Sequence, residues 1–412
     1  NKNVLKLMTG ATIAQAIPVA ISPVLTRIYA PNDFGVQALF VAITAIFGVV
    51  ANGRYELAIV LPKKEEDSIN LVALSVSISF LISLVLLIIV LLFNNKIAIW
   101  LGNEDIRIWL YFIPLVVFFI GLFNALNYLN TRLKNFGLIS KVKIIKSLTL
   151  SSVQLIMGIF RFGASGLISG QIVSHLFTNM SLAKSTLKNK ELMAKIRIKE
   201  MFRLSKRYSN FPKFSMPATL ANTLSQYLLN FFLPLLYSVA TLGYYSLVQR
   251  ILGMPTTVIG TSVGQVFFQK ATEERIKTGN ASHIFIATIK RLILISFLPF
   301  TLLFWFGPEL IALVFGEQWR EAGKYTTILV PLFMLRFINT PVSTITSVFE
   351  KNHIALAMQL SYLLLTILVL TISFYIKLDI VTFLIVYSII FSIYNIVRLF
   401  VFRKISMGEP HD

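Results

Sequence analysis

Residues 71–93 read LVALSVSISFLISLVLLIIVLLF, a run without one charged side chain. Wound as a helix at 1.5 Å per residue, such a run crosses the ~30 Å hydrocarbon core of a bilayer. It does not alternate apolar and polar residues as a barrel strand does. In lipid, backbone polar groups must be satisfied within the segment, which selects a helix. Comparable segments follow at about 4–29, 34–61, 68–93, 109–131, 143–162, 165–187, 214–236, 241–265, 283–306, 323–347, 354–376 and 380–402. The fold class predicted is an all-α polytopic membrane protein with twelve transmembrane helices.

Composition agrees. The chain has 412 residues, 56% hydrophobic and 14% charged, with 34 phenylalanines, whereas soluble domains average about 25% charged. The mean hydropathy is +0.76. There is no cysteine, so disulfides and thiolate metal sites are excluded. His175, His283, His353 and His411 lie far apart, without metal-ligand spacing. No cofactor is expected. The net charge of +20 would suggest nucleic acid in a soluble protein. In a membrane protein it reads as topology instead. The first apolar segment is long and lacks a small-residue cleavage site, so it is expected to stay as an anchor.

With the N-terminus placed inside, the inner connections collect Lys63, Lys64, Arg132, Lys134, Lys141, Lys143, Lys146, Lys270, Arg275, Lys277 and Lys351. The outer ones hold only Lys96, Arg107, Arg161, Arg320, Lys324 and Lys377, with Arg27 at an outer helix end. Both termini are therefore expected in the cytoplasm. Residues 184–213 add ten basic side chains against Glu191 and Glu200. They are read as a linker on the anionic inner leaflet, between lobes 1–183 and 214–412. The lobes resemble each other. FGVQALF (34–40) matches LGYYSLV (242–248), WLGNE (100–104) matches VFGEQ (314–318), and Lys134-Asn135 matches Lys351-Asn352. In the same alignment KKEED (63–67) ends the second helix, and QKATEER (269–275) is its counterpart after the eighth. Such order suggests a six-plus-six parallel repeat.

Charged residues inside the segments are the candidate functional groups. An arginine at a helix centre costs about 2.5–3.5 kcal/mol on insertion scales unless it faces protein, water or an anion. Arg54, Arg250 and Arg336 are so placed, whereas Arg27 suits a snorkelling end. Glu56 is the one acid well inside a segment. Two residues from Arg54 on a helix, it is expected to point elsewhere and leave the arginine unneutralised. Polar stripes mark Thr12, Gln15, Ser22 and Thr26 in the first segment. Gln171, His175 and Asn179 mark the sixth, and Ser215, Thr219, Asn222, Gln226 and Asn230 the seventh. Such stripes either bond helix to helix or line a polar cavity. His175 and Glu56 are the candidates for proton coupling, although a histidine satisfied within the core fits the same pattern.

Four stretches, TRIYAPNDFGVQALF, GRYELAIVLPKKEED, LVQRILGMPTTVIGTSVGQVFFQKATEE and FGEQWREAGKYTTILVPLF, resemble the polysaccharide flippases of the multidrug/oligosaccharidyl-lipid/polysaccharide exporter superfamily, from about residue 4 to 402. The resemblance implies two six-helix lobes around a central cavity and alternating access. It implies that an undecaprenyl-pyrophosphate-linked oligosaccharide moves from the inner to the outer leaflet of the bacterial cytoplasmic membrane, for O-antigen or capsule synthesis. The chain is then a transporter and not an enzyme, with a polysaccharide polymerase and a chain-length regulator as partners. It further implies that cationic cavity residues hold the pyrophosphate, a role that Arg54, Arg250, Arg336 and Arg27 fit; independently of the resemblance, Gln15, Asn222 and Gln226 of the polar stripes are suited to donate hydrogen bonds to the sugar. A cation-coupled multidrug antiporter of the same superfamily would need several buried carboxylates. A membrane polymerase would need catalytic residues on a large outer loop, and the outer loops are short.

Overall fold

Twelve helices of 20 or more residues run through the described residues, with no strand among them. They are α1 (Lys2–Ile28), α2 (Pro31–Val50), α3 (Glu65–Trp100), α4 (Ile113–Arg132), α5 (Phe136–Ile159) and α6 (Ala164–Leu187), then α7 (Met216–Leu236), α8 (Val239–Thr278), α9 (Ser282–Phe315), α10 (Arg320–Val342), α11 (Asn352–Ile376) and α12 (Ile380–Ser406). The structure, a computed structural model, describes residues 2–187 and 190–408, so Lys188 of the linker, His411 and Asp412 lie outside it. Ten of the twelve helices are long and apolar enough to cross a membrane; α6 and α7, the carriers of two polar stripes, are not among them. The chain is a multi-pass membrane protein. It divides into two compact units, 1–243 and 244–412.

In the first unit, α3 shows how membrane packing inverts a soluble core. Ser75, Ser79 and Ser83, spaced one turn apart, are buried, while Leu81, Val85, Ile88 and Leu92 on the same helix are exposed. Small residues let helix backbones approach, and leucine gains nothing by leaving lipid. Opposite them, a Cβ on Gly121 of α4 would lie 2.0 Å from Ser79 Oγ. Gly121→Val is therefore expected to lower stability by about 1–3 kcal/mol through overpacking, seen as a lower melting midpoint in detergent. An unchanged midpoint would mean that α3 and α4 can separate freely.

The second expected segment, 34–61, is not one helix. α2 stops at Val50, a turn follows, and Tyr55–Val60 form a 3₁₀ helix. Gly53 and Arg54 both take left-handed φ, 57° and 64°, which reverses the chain. The turn is pinned by Asn52, whose Nδ2 donates to the carbonyls of Ser75 and Gly121, each at 3.1 Å. The KKEED cluster does not close helix two either. Glu65, Glu66 and Asp67 form the first turn of α3, where the exposed N–H groups and helix dipole favour carboxylates. The counterpart acid Glu274 lies inside α8, yet its carboxylate accepts from the N–H groups of His283 and Ile284, at 3.1 and 2.9 Å, in the first turn of α9. Both clusters thus supply anions to the start of the next long helix.

The linker docks on the start of α3. Its helix, Ile198–Arg207, carries Arg203, which pairs with Asp67 at 2.6 Å. Just before it, Lys195 pairs with Glu66 at 3.0 Å. Asn70 holds the backbone at Lys195 and Arg197. Tyr55 Oη donates to the Ser205 carbonyl at 3.0 Å, and Leu192 and Leu204 join Tyr55, Ala58, Ile59 and Leu71 in a buried cluster. Ile198 and Phe202, one turn apart, stay exposed, an apolar face suited to the membrane boundary.

In the second unit, Asn339 of α10 donates to the Asn395 carbonyl of α12 at 3.1 Å, and Ser388 of α12 donates to the Ile328 carbonyl at 2.7 Å. Gly307 and Gly323 let α9 and α10 touch backbone to backbone. The helical path of α9 kinks at Phe306 (φ −119°), just ahead of Pro308, whose ring cannot follow a regular helical turn. Asp379 caps α12, and hydrogen bonds from Thr382 and Val381 hold its carboxyl below the usual carboxylate range.

Candidate functional site

Arg54 and Glu56 meet directly. Arg54 Nη1 lies 3.2 Å from Glu56 Oε1, with the glutamate almost wholly buried and the arginine 23% exposed. The expectation that they point apart fails because it assumed helical geometry, whereas the left-handed Arg54 folds its side chain back over the 3₁₀ turn. Arg54 Nε and Glu56 Oε2 are buried without a hydrogen-bond partner among the described residues. Each side chain therefore meets its opposite charge and keeps a buried polar atom without a hydrogen-bond partner among the described residues.

His175 lies on α6, buried, with Nε2 3.4 Å from Lys146 Nζ of α5. Lys146 is not a loop residue, as the sequence suggests, because α5 begins at Phe136 and carries it inward. Its ammonium stands 5.8 Å from the Phe123 ring centre. Neither group forms an ion pair among the described residues. Two positive charges at that distance would repel by about 5 kcal/mol even at an effective dielectric of 20. The arrangement therefore favours one charge, with the ammonium donating to a neutral imidazole. The imidazole Nδ1 is buried and unpartnered among the described residues. Asn179, one turn on, spends its amide on the carbonyls of Phe119 and His175, so this stripe bonds helix to helix.

In the second unit, Arg336 is enclosed by rings. Its guanidinium carbon lies 5.3 Å from the centre of Phe333 and 5.9 Å from that of Tyr362. Tyr362 and Tyr387 hydroxyls are 3.3 Å apart, and Phe391 packs against both rings. No carboxylate pairs with Arg336 among the described residues. Arg250 on α8 is half-buried. Cation–π contact offsets part of the burial of such a cation without cancelling its charge.

The other candidates are more open. Arg27 and Gln15 of α1 are exposed, as is Gln226 of α7, whose amide donates to half-buried Asn222 at 3.3 Å. Asn230, at the far end of that stripe, donates to the Ala38 carbonyl of α2. One cation is missed by reading the sequence. An expected segment end at 402 leaves Arg398 four residues from a helix terminus, where an arginine suits a snorkelling anchor. α12 instead runs to Ser406, which puts Arg398 two turns inside. The apolar LFVF that follows it is the available signal.

The profile of a family described as "Polysaccharide biosynthesis protein" matches residues 24–324. No curated protein sequence matches the chain. Among solved structures, the fold is similar to the lipid II flippase MurJ in an inward closed conformation, with TM-score 0.74 and 13% identity over 98% of this chain and 89% of that one. It is also similar to an outward-facing multidrug resistance MATE family transporter of the MOP superfamily, with TM-score 0.67 and 13% identity over 98% and 96%. A MOP superfamily transporter from Pyrococcus furiosus, described as having a binding pocket of reversed polarity, matches with TM-score 0.62 and 13% identity over 98% and 96%. At such identity the solved structures establish a shared helical architecture, and the family match extends over most of the sequence. The chain belongs to the polysaccharide biosynthesis protein family and has the fold of the MOP superfamily transporters.

Proposed function

We propose that this protein translocates an undecaprenyl-pyrophosphate-linked oligosaccharide from the inner to the outer leaflet of the bacterial cytoplasmic membrane, for O-antigen or capsule synthesis. The family match over residues 24–324 carries the reading. The charge chemistry supports it. A lipid diphosphate is anionic, and arginine forks match phosphate oxygens. In this scheme Arg336 and Arg250, with Arg27, attract the pyrophosphate, and Arg54 joins them only when its pair with Glu56 opens. Gln15, Asn222 and Gln226 bond the sugar. Lobes 1–183 and 214–412, joined by the 184–213 linker, give alternating access, and both termini stay in the cytoplasm. A polysaccharide polymerase and a chain-length regulator then receive the product. The cation excess disfavours a cationic drug as cargo.

Proteoliposomes test this. Purified protein is expected to move a fluorescent lipid-linked sugar between leaflets without ATP, and no movement with any of several sugar donors would sink the proposal. The same assay addresses coupling. His175, with Lys146 as its proton partner, and Glu56 are the proposed relay groups. His175→Ala is expected to cut pH-gradient-driven movement several-fold while leaving substrate binding intact, and Glu56→Gln to behave likewise. Full gradient-driven activity in both variants removes them from the mechanism.

A further inference from the structure

The second unit contains a cavity of about 280 Å³ lined from three directions, by the turn after α10, by α11 and by α12. Arg398 and Phe402 reach it from α12, and Tyr362 from α11. The turn contributes four hydroxyls, Ser343, Thr344, Thr346 and Ser347. Arg398 has no ion-pair partner among the described residues. Its guanidinium carbon lies 5.4 Å from the Phe402 ring centre, and its Nε is buried without a hydrogen-bond partner among them. The cavity therefore presents a cation that no described carboxylate neutralises.

The hydroxyls complete the specification. Ser343 donates to the Thr340 carbonyl at 2.8 Å, Thr344 to Pro341 at 3.2 Å, and Thr346 to Ser343 at 3.0 Å. Ser347 donates to Asn352 Oδ1 at 3.2 Å. Each proton is spent, so the lone pairs remain to accept hydrogen bonds. The oxygens of an ionised phosphate ester carry no donor and cannot use them, but sugar hydroxyls can. The guanidinium offers donors only, which suits phosphate. The rings of Tyr362 and Phe402 supply apolar faces for sugar C–H groups. The volume is on the scale of one phosphorylated monosaccharide.

We infer that this cavity binds a sugar phosphate, with Arg398 taking the phosphate and the hydroxyls of Ser343, Thr344, Thr346 and Ser347 taking the sugar. Two sources share this chemistry, the sugar-diphosphate head of a lipid-linked substrate and a free sugar phosphate. The inference deepens the transport reading and rests on it for the lipid-linked source alone. The Glu350–Lys351 turn follows the hydroxyl-bearing segment directly, an end that the charge distribution assigns to the cytoplasm, where either source is met.

The test uses the full chain in phosphatidylcholine nanodiscs. The probes are glucose 1-phosphate and citronellyl-diphosphoryl-N-acetylglucosamine, with glucose and inorganic phosphate as controls. Wild type is expected to bind at least one phosphorylated probe ten or more times tighter than either control. Arg398→Gln is expected to lose that preference, and Arg398→Lys to recover only part of it, at an unchanged melting midpoint. Thr346→Ala is expected to weaken the sugar probes and not inorganic phosphate. Binding of glucose 1-phosphate assigns the free ligand, and binding of the citronellyl probe alone assigns the lipid-linked head. Equal probe binding by wild type and Arg398→Gln overturns the site, as does inorganic phosphate bound as tightly as either probe. If Arg398→Gln unfolds, Arg398→Lys decides by the same criterion. Probe binding at Arg398 without lipid-linked sugar movement in proteoliposomes overturns the transport reading and leaves the site standing. Movement with no Arg398-dependent binding does the reverse.

Discussion

Glu56→Ala is expected to destabilise the first unit by about 2–4 kcal/mol. Removing one partner of a buried ion pair typically costs about 3–5 kcal/mol, because the other charge is left uncompensated. The lower range applies because the Arg54 side chain remains 23% exposed and water relieves part of its charge. The double variant Arg54→Ala/Glu56→Ala is expected to recover more than half of the loss, since replacing both partners removes the stranded charge. Arg54→Ala alone strands the glutamate instead, and is expected to lower the melting midpoint as well. Thermal denaturation in nanodiscs reads all three variants. If Glu56→Ala melts with wild type, the pair is incidental and Arg54 is free to serve a ligand. If the double variant is as unstable as Glu56→Ala, the left-handed turn itself carries the stability.

Arg336→Ala is expected to weaken binding of a lipid diphosphate tenfold or more. A charge-assisted hydrogen bond contributes about 1.5–3 kcal/mol, and about 1.4 kcal/mol is a factor of ten in affinity. Fold should survive, because the surrounding Tyr362, Tyr387 and Phe391 pack on one another. Arg336→Lys is expected to restore only part of the affinity, since an ammonium cannot make the planar bidentate contact or the same stacking on Phe333. Arg250→Ala should show the same loss if both arginines hold one diphosphate. Wild-type affinity in both alanine variants would end the proposal that these cations read the pyrophosphate. Joint loss of expression and melting temperature would instead make the aromatic enclosure of Arg336 a structural device.

Much of this architecture lies in the linear sequence because lipid imposes a length. Each of the twelve long helices overlaps a segment read from the sequence, and ten of them are long and apolar enough to cross a membrane. Membership in the family follows from patterns spread along most of the chain. The ends of helices are less visible. α3, α8 and α9 extend well beyond the apolar cores, to 36, 40 and 34 residues, since outside the bilayer a helix can continue through charged residues. Hydropathy sets Lys146 and Arg398 near the ends of segments 143–162 and 380–402 for that reason, short of their true depth in the helices. Both stand on helices that run past the expected boundary, one at its start and one at its end.

The sequence by itself determined the membrane class, the number of long helices, the excess of cations over acids and the family, because hydropathy and charge are summed along the chain and need no partner. Only the tertiary structure decided which charges meet. Asn52 reaches the carbonyls of Ser75 and Gly121 and fixes the turn that puts Arg54 in the left-handed region. That one backbone reversal turns two residues expected on opposite sides of a helix into an ion pair. The packing of α5 on α6 sets Lys146 against His175, and α12 carries Arg398 to a cavity walled by the turn after α10 and by α11. Such pairings depend on distances between segments far apart in sequence, which no local pattern encodes.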